Sequence, residues 1–159
     1  MATAAERQAM IARIKGLPAK VEEAIVGVPD EQLNVPAGGE GWSIQQVVHH
    51  LADAHLNAFL RMKLILTEER PILKPFDQEA WAKLPDTTDL PMEPSLQILK
   101  GLHSRWSSLL ETVAEDDWRR KGVHLENGLM SLDDLLATYS GHGETHLQQI
   151  AKIKAGLRG

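Results

Sequence analysis

The sequence predicts an all-α protein, a four-helix bundle with a long crossover between its second and third helices. Three observations carry that prediction. Apolar residues recur at helical spacing in four stretches, no segment of strand length alternates convincingly, and 159 residues is the size of one domain. Residues 1–159 are therefore expected to form a single helical-bundle domain.

The elements follow in chain order. Residues from Ala4 to about Val28 are helical in composition but include Gly16 and Pro18, which predicts one kinked helix or two collinear pieces. Ser43 and Gln46 form a capping box after the loop Ala37-Gly38-Gly39-Glu40-Gly41. Ile44, Val47, Val48, Leu51, Phe59, Met62 and Leu66 then mark a helix from Ser43 to Thr67. The connection from Glu68 to about Pro94 holds Pro71, Pro75, Pro85, Pro91 and Pro94. Bundle loops usually run to about 2–8 residues, so this one reads as a crossover or a functional cover. Its length allows the helices on either side to run parallel. Within it, Asp77 to Lys83 is expected to form a short helix, with Phe76, Asp77 and Trp81 at the mouth of any site; the alternative for Trp81 is that it plugs the bundle end. Leu96, Leu99, Leu102, Trp106, Leu109, Leu110 and Val113 predict a helix from Ser95 to Ala114. Gly122 to Met130 has room for a small hairpin around Asn127-Gly128. Ser131 and Asp134 open the last helix, Leu132 to Ala155, with Gly156 expected in a left-handed cap.

Composition excludes several functions. A net charge of −5, from 17 basic against 22 acidic residues, supplies no excess to neutralise phosphates, so neither nucleic acid nor a membrane is an expected partner. There is no cysteine, which removes disulfides, thiolate metal sites and a cysteine nucleophile. Any metal must sit on nitrogen and oxygen ligands. Met1 to Met10 lacks the apolar run of a signal peptide, and no stretch approaches about 20 apolar residues. The expected location is cytoplasmic and the expected partner a small-molecule substrate; a homodimer stays open.

Seven histidines stand at positions 49, 50, 55, 103, 124, 142 and 146. His142 and His146, at i and i+4, share one face of the last helix with Leu135, Tyr139, Ile150 and Ile153, close enough to chelate one ion. Glu144 lies off that face, which separates the pair from the zinc-protease pattern H-E-x-x-H. A third ligand from the Ser43 helix has three candidates. Angular counting puts His55 in the middle of the apolar stripe, His50 on its flank and His49 toward solvent. His50 shares its flank with Asn57 and Arg61, a polar strip beside the core. Core histidines satisfied by carbonyls, and a solvated helix flank, are the plainer readings of these patterns.

Gly41-Trp42-Ser43, then Gln46-Val47-Val48-His49-His50-Leu51-Ala52-Asp53, His55, Asn57, Arg61 and Lys63 form an ordered series. It continues through Pro75, Phe76, Asp77, Trp81, Leu102-His103 and Trp106 to His142, His146 and Ile150. Together these residues resemble the DinB/YfiT-like family of metal-dependent hydrolases, closest to its YfiT branch, which includes bacterial low-molecular-weight-thiol S-transferases. The resemblance implies an up-down-down-up bundle and a metal held by His50, His142 and His146, with His55 close by but not coordinating. Gly143 and Thr145, where the family has a histidine-rich run, are expected to widen the pocket.

Three histidines and open positions suit a divalent ion, zinc or nickel, that acidifies water or stabilises a thiolate. The expectation is thus a metal-dependent enzyme acting on a small molecule. It would work either by hydrolysis or by transfer of a low-molecular-weight thiol cosubstrate to an electrophile. In that reading Arg61 holds a substrate carboxylate and Asn57 orients metal-bound water. The alternative is a non-catalytic metal-binding stress or binding protein.

Overall fold

The computed structural model describes residues 1–157. Helix α1 (Ala4–Ile25) is followed by the single turn α2 (Asp30–Leu33) and by α3 (Ile44–Thr67). The crossover contains strand β1 (Ile72–Leu73) and the short helices α4 (Gln78–Trp81) and α5 (Pro85–Thr88). After α6 (Glu93–Glu111) come β2 (Lys121–His124), β3 (Gly128–Ser131) and α7 (Leu132–Gly156).

Side chains of Thr3, Ser43 and Ser131 cap α1, α3 and α7, each in a reciprocal box with the residue three positions on. Helix α1 is one continuous helix rather than two pieces. Pro18 removes one internal hydrogen bond, and burial of Ile14, Leu17, Pro18 and Val21 between α6 and α7 outweighs the loss. Helix α6 begins at Glu93, ahead of the expected Ser95, because Pro94 fits the first turn, where no N–H is needed. It ends at Glu111, short of Ala114. Gly156 stays within α7, which closes on Leu157 in an ordinary right-handed conformation, so the expected left-handed cap is absent.

Interhelical contacts give the direction of each helix. Between α3 and α6, His49 meets Ser95, His55 meets His103 and Met62 meets Trp106, so the two run parallel. Between α1 and α7, Arg7 meets Asp133 and Lys20 meets Glu144, again parallel. Between α3 and α7, His50 meets His142 and Arg61 meets Tyr139, which is antiparallel. Lys15 with Glu111 and Glu22 with Lys100 make α1 and α6 antiparallel. The fold is an up-down-down-up four-helix bundle, with α1 diagonal to α3.

The expected hairpin is present, and β1 adds a parallel strand to β2. Two residues are too short for β1 to show in a periodicity. A Cβ on Gly122 would stand 2.8 Å from Leu73, so glycine permits the close approach.

The apolar core is split. Phe59, Met62, Trp106 and Leu136 anchor one cluster; Leu17, Val48, Leu99 and Ile150 anchor the other. The seam between them, crossed by α3 at His55, α6 at His103 and α7 at His142 and His146, is a layer of imidazoles.

Candidate metal centre

The capping box at Ser43 sets the phase of α3, and that at Ser131 sets the phase of α7, so His50, His142 and His146 meet across the antiparallel α3–α7 interface. Their ring nitrogens lie within 4.8 Å of one another. His142 Nε2 is 3.3 Å from His50 Nε2 and 3.1 Å from His146 Nε2. Nitrogens bound to one divalent ion at about 2.0–2.1 Å stand about 2.8–3.4 Å apart for right-angle to tetrahedral coordination, so both separations that His142 makes fit a shared cation, with the third pair within 4.8 Å. His146 donates Nδ1–H to Gln149 Oε1 at 2.7 Å, which leaves its Nε2 lone pair facing the other two rings. Converging lone pairs repel unless a cation lies between them.

Electrostatics favour the ligating form. Burial, reinforced by His146, lowers the His50 pKa to about 4. Burial, with His146 and His50 adding, lowers that of His142 to about 3. Burial also lowers His146, against the Gln149 hydrogen bond. Among the described residues no carboxylate hydrogen-bonds to the three rings, so all are neutral donors of electron pairs.

His55 sits one ring deeper. Its Nε2 is 3.1 Å from His142 Nδ1 and its Nδ1 is 2.9 Å from His103 Nε2. Burial holds it well below the ordinary imidazole range. His49 does not face solvent as its angular position suggests: Ser95 of α6 and the Leu90 carbonyl of the crossover cover it, at 2.8 and 3.1 Å. Helical counting saw one buried face, whereas α3 packs against both α6 and α7.

The strip of Asn57 and Arg61 divides. Asn57 donates its amide to the Asp53 carbonyl of its own helix, 2.9 Å away, and makes no hydrogen bond to the histidines. Arg61 is buried and donates Nη1–H to Tyr139 Oη at 2.7 Å and Nη2–H to the Lys74 carbonyl. Its Nε–H has no partner among the described residues, and no carboxylate balances its charge. Tyr139, not singled out as a site residue from the sequence, links Arg61 to the cluster, its ring 5.8 Å from that of His142.

Aromatic residues flank the outer side of His50, with Trp42 at 4.9 Å and Phe76 at 6.3 Å between ring centroids. Trp81 packs against Phe76 at a tilt of 43°, with ring centroids 4.7 Å apart, and is 37% exposed, so it does not plug the bundle end. Asp77 caps α4 through the Ala80 N–H. Gly143 does not widen the site: it faces α1, where a Cβ would lie 2.7 Å from Leu17. One residue beyond His142 is about 100° round the helix, toward a different neighbour. Thr145 bonds back to the Gly141 carbonyl.

The sequence pattern of the DinB superfamily matches residues 5–150. A curated protein of Geobacillus kaustophilus, provisionally named a metal-dependent hydrolase, is 49% identical over 153 residues, covering 95% of this chain and 85% of that protein. YfiT of Bacillus subtilis, with the same provisional name, is 37% identical over 141 residues, 88% of this chain and 79% of its own. A solved structure of Bacillus subtilis YfiT superposes with a TM-score of 0.93 at 34% identity, covering 99% of this chain and 90% of that one. It is described as a probable metal-dependent hydrolase with an unusual four-helix bundle topology. The chain belongs to the DinB superfamily.

Proposed function

We propose that the chain is a metal-dependent enzyme acting on a small molecule, with His50, His142 and His146 holding one divalent cation, zinc or nickel. The observation that supports this most is the convergence of three imidazoles at the α3–α7 interface, with His142 Nε2 at ion-binding separations from the Nε2 atoms of both His50 and His146. When bound, such an ion supplies an acidified water or a stabilised thiolate.

Hydrolysis is the first reading, in line with the names of the relatives. Transfer of a low-molecular-weight thiol to an electrophile is the second, and Arg61 favours it: a buried cation with a free Nε–H suits the carboxylate of such a cosubstrate. Asn57, engaged with its own helix, has no part in either reading.

Elemental analysis of protein purified without added metal, followed by turnover assays with ester and amide substrates and with thiol plus electrophile, tests the proposal. One equivalent of zinc or nickel with turnover in either assay is expected. His142→Ala should lose the bound ion and, with it, about 2.7 kcal/mol of metal-dependent stabilisation at a metal concentration 100 times the Kd. Full metal stoichiometry in that variant removes the assignment. Metal without turnover favours the binding-protein alternative.

A further inference from the structure

His142 ends a line of imidazoles that begins at a helix carbonyl. Pro18 has no N–H to give to the carbonyl of Ile14, four residues earlier in α1. His103 Nδ1 of α6 bonds to that carbonyl instead. His103 Nε2 is 2.9 Å from His55 Nδ1, and His55 Nε2 is 3.1 Å from His142 Nδ1. His55 and His103 are buried, and no carboxylate among the described residues hydrogen-bonds to the line, so each ring is neutral and carries a single N–H.

The direction of every bond then follows from the first. A carbonyl only accepts, so His103 carries its hydrogen on Nδ1 and has a bare Nε2. That nitrogen accepts from His55 Nδ1–H, which leaves His55 Nε2 bare to accept from His142 Nδ1–H. His142 Nε2 is left with a lone pair, and Nε2 is the atom that faces His50 and His146. The reverse order would aim the bare Nδ1 lone pair of His103 at the Ile14 oxygen, two acceptors in contact in the core, and would place a hydrogen on the nitrogen that has to bind the ion.

We propose that His55 and His103 are positioning residues which, through the Ile14 carbonyl freed by Pro18, lock His142 in the Nδ1–H tautomer and so prepare its Nε2 as a metal ligand before the metal arrives. The inference deepens the metal-centre reading and rests on it only where affinity is measured. Partners behind a ligating histidine commonly change metal affinity by about 10–100-fold. Here the control is exerted from three residues back, by a backbone atom of another helix.

The test has two arms. Long-range 15N–1H correlation spectra of the metal-free protein at about pH 8, above the ordinary imidazole range, report which nitrogen of each ring carries hydrogen. Protonated Nδ1 and bare Nε2 are expected at His103, His55 and His142; a protonated Nε2 at His55 or His142 overturns the proposal without any variant. Zinc titration then compares His103→Leu with His103→Gln. Leucine removes the acceptor that orients His55, and zinc affinity is expected to fall by about 10–100-fold with stoichiometry kept. Glutamine, whose carbonyl accepts from His55 and whose amide donates to Ile14, is expected to keep the affinity. A folded His103→Leu protein with wild-type zinc affinity overturns the proposal. Should that variant not fold, the wild-type spectrum decides. Expected tautomers with neither zinc nor nickel bound would defeat the metal-centre reading alone, and zinc binding with opposite tautomers would defeat the positioning role alone.

Discussion

Two buried polar clusters connect α7 to its neighbours, and they are built on opposite principles. At the start of α7, Arg7 Nε–H donates to Asp133 Oδ1 at 2.8 Å and Nη1–H donates to Glu115 at 2.7 Å, while its Nη2–H goes to the Ala2 carbonyl. The Asp133 carboxylate also receives the Ala2 N–H at 2.6 Å. Trp118 lies 5.2 Å from the Arg7 guanidinium. Every charge there has an opposite charge, and nothing is left for a ligand to satisfy. In the middle of α7, His142 and His146 meet His50 with no carboxylate among their hydrogen-bond partners in the described residues, and their Nε2 atoms converge. A closed set of partners holds the bundle together; an open set with one sign of demand is where a cation belongs.

The contrast can be broken first with acid. In the metal-free protein the unfolded chain takes up protons on histidine below about pH 6.5, whereas the folded chain resists until about pH 4 at His50 and about pH 3 at His142. Stability is therefore complete above pH 6.5 and is lost as pH falls through that window, with several rings acting together. Thermal melts at pH 8, 6 and 4 check this, and saturating zinc should shift the loss to lower pH; a melting temperature flat across the range would contradict the buried neutral imidazoles.

Asp133→Ala attacks the closed cluster. Leaving Arg7 buried without its main partner should cost about 3–5 kcal/mol by denaturant unfolding. Zinc stoichiometry should be unchanged, because the two clusters share a helix but no side chain. A smaller penalty is expected at Gly143→Ala, which forces a methyl against Leu17 beside the site and should cost about 1–3 kcal/mol by the same measurement without removing a ligand. The smallest effect belongs to Trp81→Ala. That side chain is partly exposed and its main partner is Phe76, so about 0.5–1.5 kcal/mol is expected, and turnover comparison with wild type reads whether the Phe76–Trp81 pair shapes the entrance.

The open cluster was more legible in sequence than the closed one. His142 and His146 announce themselves by i,i+4 spacing on a phase set by Ser131, and Ser43 does the same for the helix of His50. Arg7 and Asp133 lie far apart in the chain, and each by itself reads as an ordinary surface charge near a helix start. Choosing among His49, His50 and His55 was beyond periodicity, since α3 buries more than half of its 24 residues against two helices and the crossover. The stripe of apolar residues marks only part of that arc, and both His49 and Arg61 lie in the rest. Gly143 failed for a related reason: its neighbour, Leu17 of α1, could not be foreseen without the topology.

That topology has a consequence for synthesis. Helices α1 and α3, which leave the ribosome before α6 and α7, stand diagonally and find their partners in those later helices. A nascent chain that has emerged only as far as the crossover holds two amphipathic helices whose apolar faces wait for sequence not yet made. Partners distant along the chain, such as Arg7 with Asp133, raise the contact order and slow closure relative to a bundle of sequential hairpins. The histidine layer, drawing one ring from α6 and two from α7, consequently assembles only after α7 has emerged, and no fragment ending in the crossover can carry it.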